Sequence, residues 1–374
     1  LAATTTSTAP HSTATTPSST RMHVGISLLT LVPRISGGSE TYARELVRAL
    51  GRVGAHSYRV LLPTVATDID GLPSDVVGEY RASTSMPGRI AAMTEGVVRG
   101  RRLRRHLAGL DVVHFPLTVM IPRVTSPPAV TTVLDLQHEF LPDFFSRAER
   151  AYRRAVYGWS IRKSRLVVTI SEHAARAVVE RYELPEGRVR PIHLGLDHAT
   201  FTPADVERER FLVYPARAWP HKNHERLFAA FAQLRERHPD LELVLTAYDG
   251  DVPPGVRSLG HVRRDELVRL YRTAAGLVFP SLYEGFGQPP LEAMACGCPV
   301  ASSNAAALPE VCGDAARLFD PTSVEEIVAS VEEILTRPDE WSAKGIARAA
   351  QFSWEMTARA HDDAYAALAH GDPH

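Results

Sequence analysis

From residue 22 onward the chain alternates short apolar runs with longer stretches in which apolar residues recur at helical spacing. Residues 22–29 (MHVGISLL) read as a buried strand, and 58–62 (YRVLL), 111–115 (DVVHF), 130–134 (VTTVL) and 166–170 (LVVTI) as further strands. Between the first two, Gly37-Gly38-Ser39-Glu40 leads into Tyr42, Leu46, Val47 and Leu50, the pattern of an amphipathic helix. Strand, glycine loop and helix make a Rossmann-like opening, so the expected class is α/β. Residues 147–165 are expected to be helical and basic, and Ser171 is placed to cap the helix after them. Strands resume at 211–215 (FLVYP) and 243–245, an amphipathic helix is expected at 324–335, and a last helix follows Phe352-Ser353-Trp354 to about Ala369.

At 374 residues the chain has room for two domains, and 44% hydrophobic content supports substantial cores. A net charge of -1 argues against wholesale nucleic-acid binding. Cys296, Cys298 and Cys312 cannot all pair and stand in no zinc-type repeat, which points to a reduced, cytoplasmic protein. No apolar run reaches the roughly 18 residues that span a bilayer. Residues 1–20, rich in Thr, Ser, Ala and Pro, lack the apolar core of a signal peptide and are expected to be a disordered tail. Residues 97–110 (VVRGRRLRRHLAGL) are expected to form one basic amphipathic helix carrying Arg99, Arg101, Arg102, Arg104 and Arg105. It fits two roles, a solvated helix covering the sheet or a peripheral contact with an anionic membrane surface.

Candidate chemistry concentrates at residues 277–300 (LVFPSLYEGFGQPPLEAMACGCPV). An apolar strand ends at Phe279, residues 283–288 form a glycine-containing loop, and Pro289-Pro290 suit the first turn of a helix. A helix start favours an anion such as a diphosphate. Glu284 and Glu292 flank it from loop and helix, and carboxylates match the vicinal hydroxyls of a ribose or a sugar ring. The competing explanation is that Glu292 caps its own helix and Glu284 is solvated. Only three lysines occur, Lys163, Lys222 and Lys344, so the ammonium at 222 stands out in an arginine-rich chain. Asp249-Gly250-Asp251 and Asp68-Ile69-Asp70 look like Asp-x-Asp metal motifs but read as turns, and no third ligand joins His221 and His224. No metal and no cofactor are expected.

The spacing Glu284-x7-Glu292, continued by Ala293-Met294-Ala295-Cys296-Gly297-Cys298-Pro299-Val300 and Leu308-Pro309-Glu310-Val311, resembles the signature of retaining glycosyltransferases of family four. That resemblance implies a GT-B fold: two Rossmann-like domains facing across a cleft, with a C-terminal helix crossing back to the N-terminal domain. The implied division is an acceptor-binding domain at 21–200, a nucleotide-sugar-binding domain at 201–350 and a crossover helix with tail at 351–374. It also implies that Gly37 and Gly38 lie against the donor diphosphate, that Arg217 and Lys222 neutralise it, and that Gly285, Phe286 and Gly287 present amides to the sugar. Glu284 would bind sugar hydroxyls, Glu292 the ribose, and Val262 and Leu267 the base. The family often places a histidine where this chain has Leu134, and His138 is the candidate substitute.

The implied reaction moves a hexose, mannose-like or glucose-like, from a nucleotide-diphosphate sugar to a hydroxyl of a saccharide, lipid-linked or natural-product acceptor, with retention of configuration and without metal. Rival readings are a nucleotide-sugar epimerase or hydrolase of the same fold, or a non-catalytic nucleotide-sugar-binding subunit. A phosphorylase-like enzyme of this architecture would need a longer chain and a dedicated Schiff-base lysine.

Overall fold

The computed structural model describes residues 21–33, 37–83, 85–98 and 100–369. The expected disordered tail at 1–20 and Arg99 of the basic stretch lie outside the described residues. Strands β1 (His23–Ser27), β2 (Ser57–Leu62), β3 (Ser74–Val76), β4 (Val112–Phe115), β5 (Ala129–Val133), β6 (Leu166–Thr169) and β7 (Val189–Pro191) form one sheet, in the order β3-β2-β1-β4-β5-β6-β7. Strands β8 (Glu209–Pro215), β9 (Glu242–Thr246), β10 (Val256–Ser258), β11 (Ala274–Phe279), β12 (Val300–Ser303) and β13 (Arg317–Phe319) form a second, in the order β10-β9-β8-β11-β12-β13. Every pairing is parallel. Both orders reverse beside their first strand, at β1/β4 and β8/β11, where loops at the carboxyl ends of the strands part and leave a crevice.

Helices α1 (Gly38–Val53), α2 (Met86–Val98), α3 (Gly100–Arg104), α4 (Gln137–Phe140), α5 (Arg147–Lys163) and α6 (Glu172–Tyr182) belong to the first half. The second half carries α7 (His224–Arg237), α8 (Arg264–Thr273), α9 (Gln288–Ala295), α10 (Leu308–Cys312), α11 (Val324–Thr336) and α12 (Pro338–Ala349), and α13 (Trp354–Ala369) closes the chain. Local signals set several starts. Ser146, Ser171 and Ser323 each accept a backbone N–H three residues on, at 3.1 Å, and so cap α5, α6 and α11.

Of the expected basic helix at 97–110, residues 97–98 and Gly100–Arg104 are α-helical and Arg105–Leu107 tighten into a 3-10 turn, so among the described residues the helix stops short of 110. Leu103 and Leu107 are buried, whereas Arg101, Arg102, Arg104 and Arg105 are exposed. Arg105 pairs with Glu79, and Arg104 donates to the Arg123 carbonyl.

The last helix returns to the first half. Trp354, Ala358, Ala364 and Tyr365 of α13 are buried with Tyr42, Leu46 and Leu50 of α1 and with Val24 and Ile26 of β1. Beneath them lies a closed polar network. The Tyr42 hydroxyl meets Thr132 Oγ1 at 3.0 Å and His361 Nε2 at 3.1 Å; His114 Nε2 meets the same threonine at 2.7 Å, and Tyr365 the other nitrogen of His114 at 2.8 Å. Asp362 accepts the Ala55 N–H at 2.7 Å and the Tyr58 hydroxyl, which fixes α13 along its length. Burial lowers His361 to about 4 and His114 well below its usual range.

Because these imidazoles stay neutral when folded and take up protons when unfolded, stability is expected to fall as pH drops from about 6.5 towards the folded values. Replacing His361 with Gln should remove about one proton from the uptake measured calorimetrically on unfolding near pH 5. An unchanged proton count would show that His361 is already charged in the folded protein.

Candidate active site

A cavity of about 540 Å³ lies between the two halves, walled by the loops after β1, β5, β8 and β11. Gly37, Gly38, Arg217, Lys222, Glu284, Gly285, Phe286, Gly287 and Glu292 all line it. Sequence separation does not obstruct this, because each follows a strand whose carboxyl end faces the crevice. His138, Val262 and Leu267 are not brought to this cavity. His138 lies at 0% exposure in α4, edge-on to Tyr157 at 5.6 Å and to Phe145 at 6.4 Å, with burial lowering its pKa. Its neighbour Gln137 lines the cavity instead. Val262 is half-buried just ahead of α8, and Leu267 packs against the core of the second half.

The loops after β8 and β11 are stitched together before any ligand arrives. Leu282 donates its N–H to the His221 carbonyl at 2.8 Å, and Asn223, in the left-handed conformation at φ 60, donates from Nδ2 to the Pro280 carbonyl at 3.0 Å and the Pro321 carbonyl at 2.8 Å. The Tyr214 hydroxyl donates to the Lys222 carbonyl at 2.7 Å. This stitching delivers Lys222 Nζ to Glu284 Oε1 at 2.5 Å, with only 13% and 15% of the two side chains exposed. The two residues expected to hold phosphate and sugar are therefore each other's counter-ion in the free protein. Arg217 is exposed, its guanidinium 5.4 Å from the Trp219 ring centroid, and it has no carboxylate partner among the described residues. His221 also lines the cavity, held to about 4 by burial and by the neighbouring Lys222 charge, so it is a neutral imidazole.

Helix α9 starts from Gly287, whose φ of 124 is open to glycine and strained for other residues; a Cβ there would stand 2.8 Å from Leu308 Cδ2. Pro289 and Pro290 carry no N–H, so the amides available to an anion at this helix start are those of Gly287 and Gln288. Glu292, half-buried on α9, accepts the Tyr271 hydroxyl at 3.3 Å. Its burial outweighs that bond and the Arg264 charge and raises the carboxyl to about 7. Gly38 differs from Gly287. Its φ is not positive, and a Cβ there would meet nothing within 4 Å among the described residues, so neither its backbone nor their packing calls for glycine.

Several residues that join the halves escaped the sequence reading. Glu310 of α10 accepts the N–H groups of Glu172 and His173 at 2.7 and 3.1 Å, closing the start of α6 from across the crevice, and meets His193 Nε2 at 2.6 Å. Those partners hold its carboxyl below the usual range although burial opposes them. Ser171, besides capping α6, donates to the Gly285 carbonyl at 2.9 Å. Phe140 of α4 stacks on Tyr283 at 5.3 Å, and Gln288 donates to the Gly195 carbonyl at 3.2 Å. Asp135 lines the cavity from the first half. The glutamate in Leu308-Pro309-Glu310-Val311 was visible in the sequence, but its partners there were not. Among the described residues, no group of three or more His, Cys, Asp or Glu gathers as a metal site would need.

Comparison with known proteins places this geometry in context. Residues 200–351 match the family model described as Glycosyl transferases group 1, and residues 36–200 the one described as Glycosyltransferase Family 4. O-antigen chain mannosyltransferase B of Escherichia coli is 32% identical over 88% of this chain and 96% of its own length. Sucrose-phosphate synthase from Thermosynechococcus elongatus superposes with a TM-score of 0.73 at 19% identity, over 94% of this chain and 100% of that one. Anabaena HepE, in complex with UDP and glucose, gives 0.68 at 16% identity, over 93% and 100%. At these identities the two structures speak for the fold.

Glu292 has a folded pKa above its unfolded one, so its carboxyl destabilises the protein above about pH 7 and has no effect below the usual carboxylate range. Replacing it with Gln is expected to raise stability at pH 8 by about 1–2 kcal/mol, discounted for its partial exposure, and to leave stability at pH 4 unchanged. Thermal unfolding at the two pH values reads this directly; a loss of stability at pH 8 would assign Glu292 a structural role.

Proposed function

The chain belongs to the glycosyl transferases group 1, the family-four glycosyltransferases of GT-B fold, and from that membership we propose that it transfers a hexose from a nucleotide-diphosphate donor to a hydroxyl of a saccharide acceptor with retention of configuration. The observation that carries the reading is that Arg217, Lys222, Glu284 and Glu292 border one cavity between the halves. The name of the Escherichia coli relative favours mannose as the sugar, and the Anabaena complex favours a uridine or similar nucleotide as its carrier.

In this proposal the donor displaces an internal ion pair. The diphosphate draws the Lys222 ammonium away from Glu284, and the freed carboxylate accepts hydroxyls of the sugar, so phosphate capture and sugar capture are linked. Glu292 takes the ribose diol in its ionised form. As the bond from the anomeric carbon to phosphate oxygen breaks, its electron pair passes to the diphosphate, where Arg217, Lys222 and the Gly287 and Gln288 amides stabilise the charge. The acceptor oxygen bonds to the anomeric carbon on the same face, and its proton passes to the departing phosphate oxygen. Fixed cations make a metal dispensable. The acceptor is a saccharide, free or carried on a lipid or natural product.

No described helix is long and apolar enough to cross a membrane. The proposal keeps the protein in the cytoplasm, with any peripheral contact to an anionic surface carried by the exposed arginines of α3 and the turn after it.

Incubation with UDP-glucose, UDP-galactose and GDP-mannose and a saccharide acceptor in the presence of EDTA is expected to yield a new glycoside with the donor's anomeric configuration. Epimerised donor, free sugar alone or binding without turnover would each refute transfer. Replacing Lys222 with Ala should lower transfer by roughly 100-fold or more, with a melting shift of only a few degrees; comparable losses of both would make it a structural lysine. Affinity for the nucleoside diphosphate should rise as pH passes upward through about 7, where Glu292 ionises, and this rise should vanish when Glu292 is Gln. Titration calorimetry across pH 6 to 8 separates these outcomes.

A further inference from the structure

Strand β5 runs out into Leu134-Asp135, where the family often has a histidine at the first of the two positions. Leu134 is packed against the cores of both halves and offers a ligand only apolar surface. Asp135 follows it into the cavity and, among the described residues, is the one carboxylate that the first half contributes to the lining. Its Oδ1 accepts the Gln137 N–H at 3.0 Å, which fixes the side chain. No described group hydrogen-bonds to Oδ2. The loop it faces is very close: a Cβ on Gly285 would collide with the Leu134 carbonyl oxygen and stand 3.4 Å from the Cβ of Asp135. Asp135 thus lies beside Gly285, and its side chain and the Glu284–Gly287 loop line the same cavity from the two halves.

We propose that Asp135 is a specificity-determining residue that accepts a hydroxyl of the transferred sugar from the first half, opposite Glu284 on the second, and that this pair of carboxylates confines the donor to uncharged, polyhydroxylated hexoses. The inference rests on the reading above that residues 284–287 hold the transferred sugar. The chemistry is complementary. A hexose has hydroxyls on both sides of its ring, each able to donate to a carboxylate, and charge-assisted bonds of this kind are stronger than neutral ones. A uronate would bring a third negative charge between Asp135 and Glu284, and like charges in a confined, water-poor space repel strongly. The side chain that fills the family's histidine position is not replaced by His138, which points into the core, but by the residue next along the strand end.

The test compares wild type, Asp135→Asn and Asp135→Glu by titration calorimetry, using UDP and GDP, the nucleotide hexose that the wild type binds best among UDP-glucose, UDP-galactose and GDP-mannose, and the nucleotide uronate of the same configuration. Asp135→Asn keeps the shape and the acceptor for the Gln137 N–H. It is expected to weaken nucleotide-hexose binding by roughly tenfold or more. The nucleoside diphosphate should be unaffected to within about twofold, the melting temperature should stay within about two degrees, and the hexose-to-uronate preference should shrink by about tenfold. Asp135→Glu, which retains the charge, should retain the discrimination against the uronate. The proposal is overturned if Asn shifts hexose and diphosphate affinities together or not at all, if Glu loses discrimination as Asn does, or if donor affinity survives while turnover collapses, since the last would mark a base. A wild type that binds diphosphates but no nucleotide sugar would overturn both this inference and the reading it rests on; intact binding and transfer with an indifferent Asp135 would overturn the inference alone.

Discussion

A cation and a carboxylate, both largely shielded from water, face each other in the crevice between the two halves, and the contacts that hold them there shape this part of the molecule. A lone ammonium that is only 13% exposed would be costly, so Lys222 is stored against Glu284. The store works because the loops after β8 and β11 are tied to each other, by the Leu282 N–H on the His221 carbonyl and by the Asn223 side-chain amide on the Pro280 carbonyl. These ties fix both loops before any ligand arrives, so the ammonium and carboxylate meet with little backbone freedom left to lose. In the proposed reaction the same pairing would set an order of events, with an anion taking the lysine before the glutamate is free to accept hydroxyls.

Keeping the crevice the right width is the task of contacts far from the ion pair. Glu310 satisfies two backbone donors at the start of α6, where a helix otherwise leaves N–H groups unpaired, and it does so from the opposite half. The anion also meets the positive end of the helix dipole, so one residue joins the halves through both hydrogen bonding and charge. Helix α13 acts in the same sense at the other side. It leaves the second half after α12 yet buries its apolar face in the first, and the Tyr42, Thr132, His114, His361 and Tyr365 network makes that docking specific, because every polar group in it has a partner only in this register. Tyr42 and Trp354 belong to this assembly and also line the cavity, so the docking of the last helix shapes the cavity wall.

The sequence made some of this legible and hid the rest for physical reasons. The strands are plain in the apolar runs, and the observed β1, β4, β5 and β6 lie within a residue or two of the expected ones. Lys222 was legible because the chain otherwise prefers arginine, and Glu292 because prolines announce the helix that carries it. The Lys222–Glu284 contact was not legible, since it depends on two loops sixty residues apart being bonded to one another. His138 was misjudged for a simpler reason. Successive helical residues point about 100° apart, so Gln137 faces the cavity while His138 faces Tyr157 and Phe145, and a position counted along the chain does not tell the two directions apart. The basic stretch at 97–110 ends in a 3-10 turn at Arg105–Leu107 instead of running on to Leu110, a boundary that its charge pattern does not mark.

What distinguishes this cavity from a gap between two packed layers is that its walls work against the fold. Glu292 is kept in surroundings that raise its carboxyl to about 7, a penalty that an amide would avoid. Among the described residues Arg217 stands without a carboxylate partner and Gly38 omits a side chain for which there is both room and a compatible backbone, while Trp219 is about half exposed. A chain under pressure only to be stable would lose such features one by one, because each alternative is neutral or favourable to folding. The proposed donor would account for their gathering around one volume: an anion for Arg217, a diol for an ionised Glu292, and a ligand atom close to the backbone at Gly38. On that reading the stability forgone in the empty protein would be recovered as binding energy when the donor fills the site.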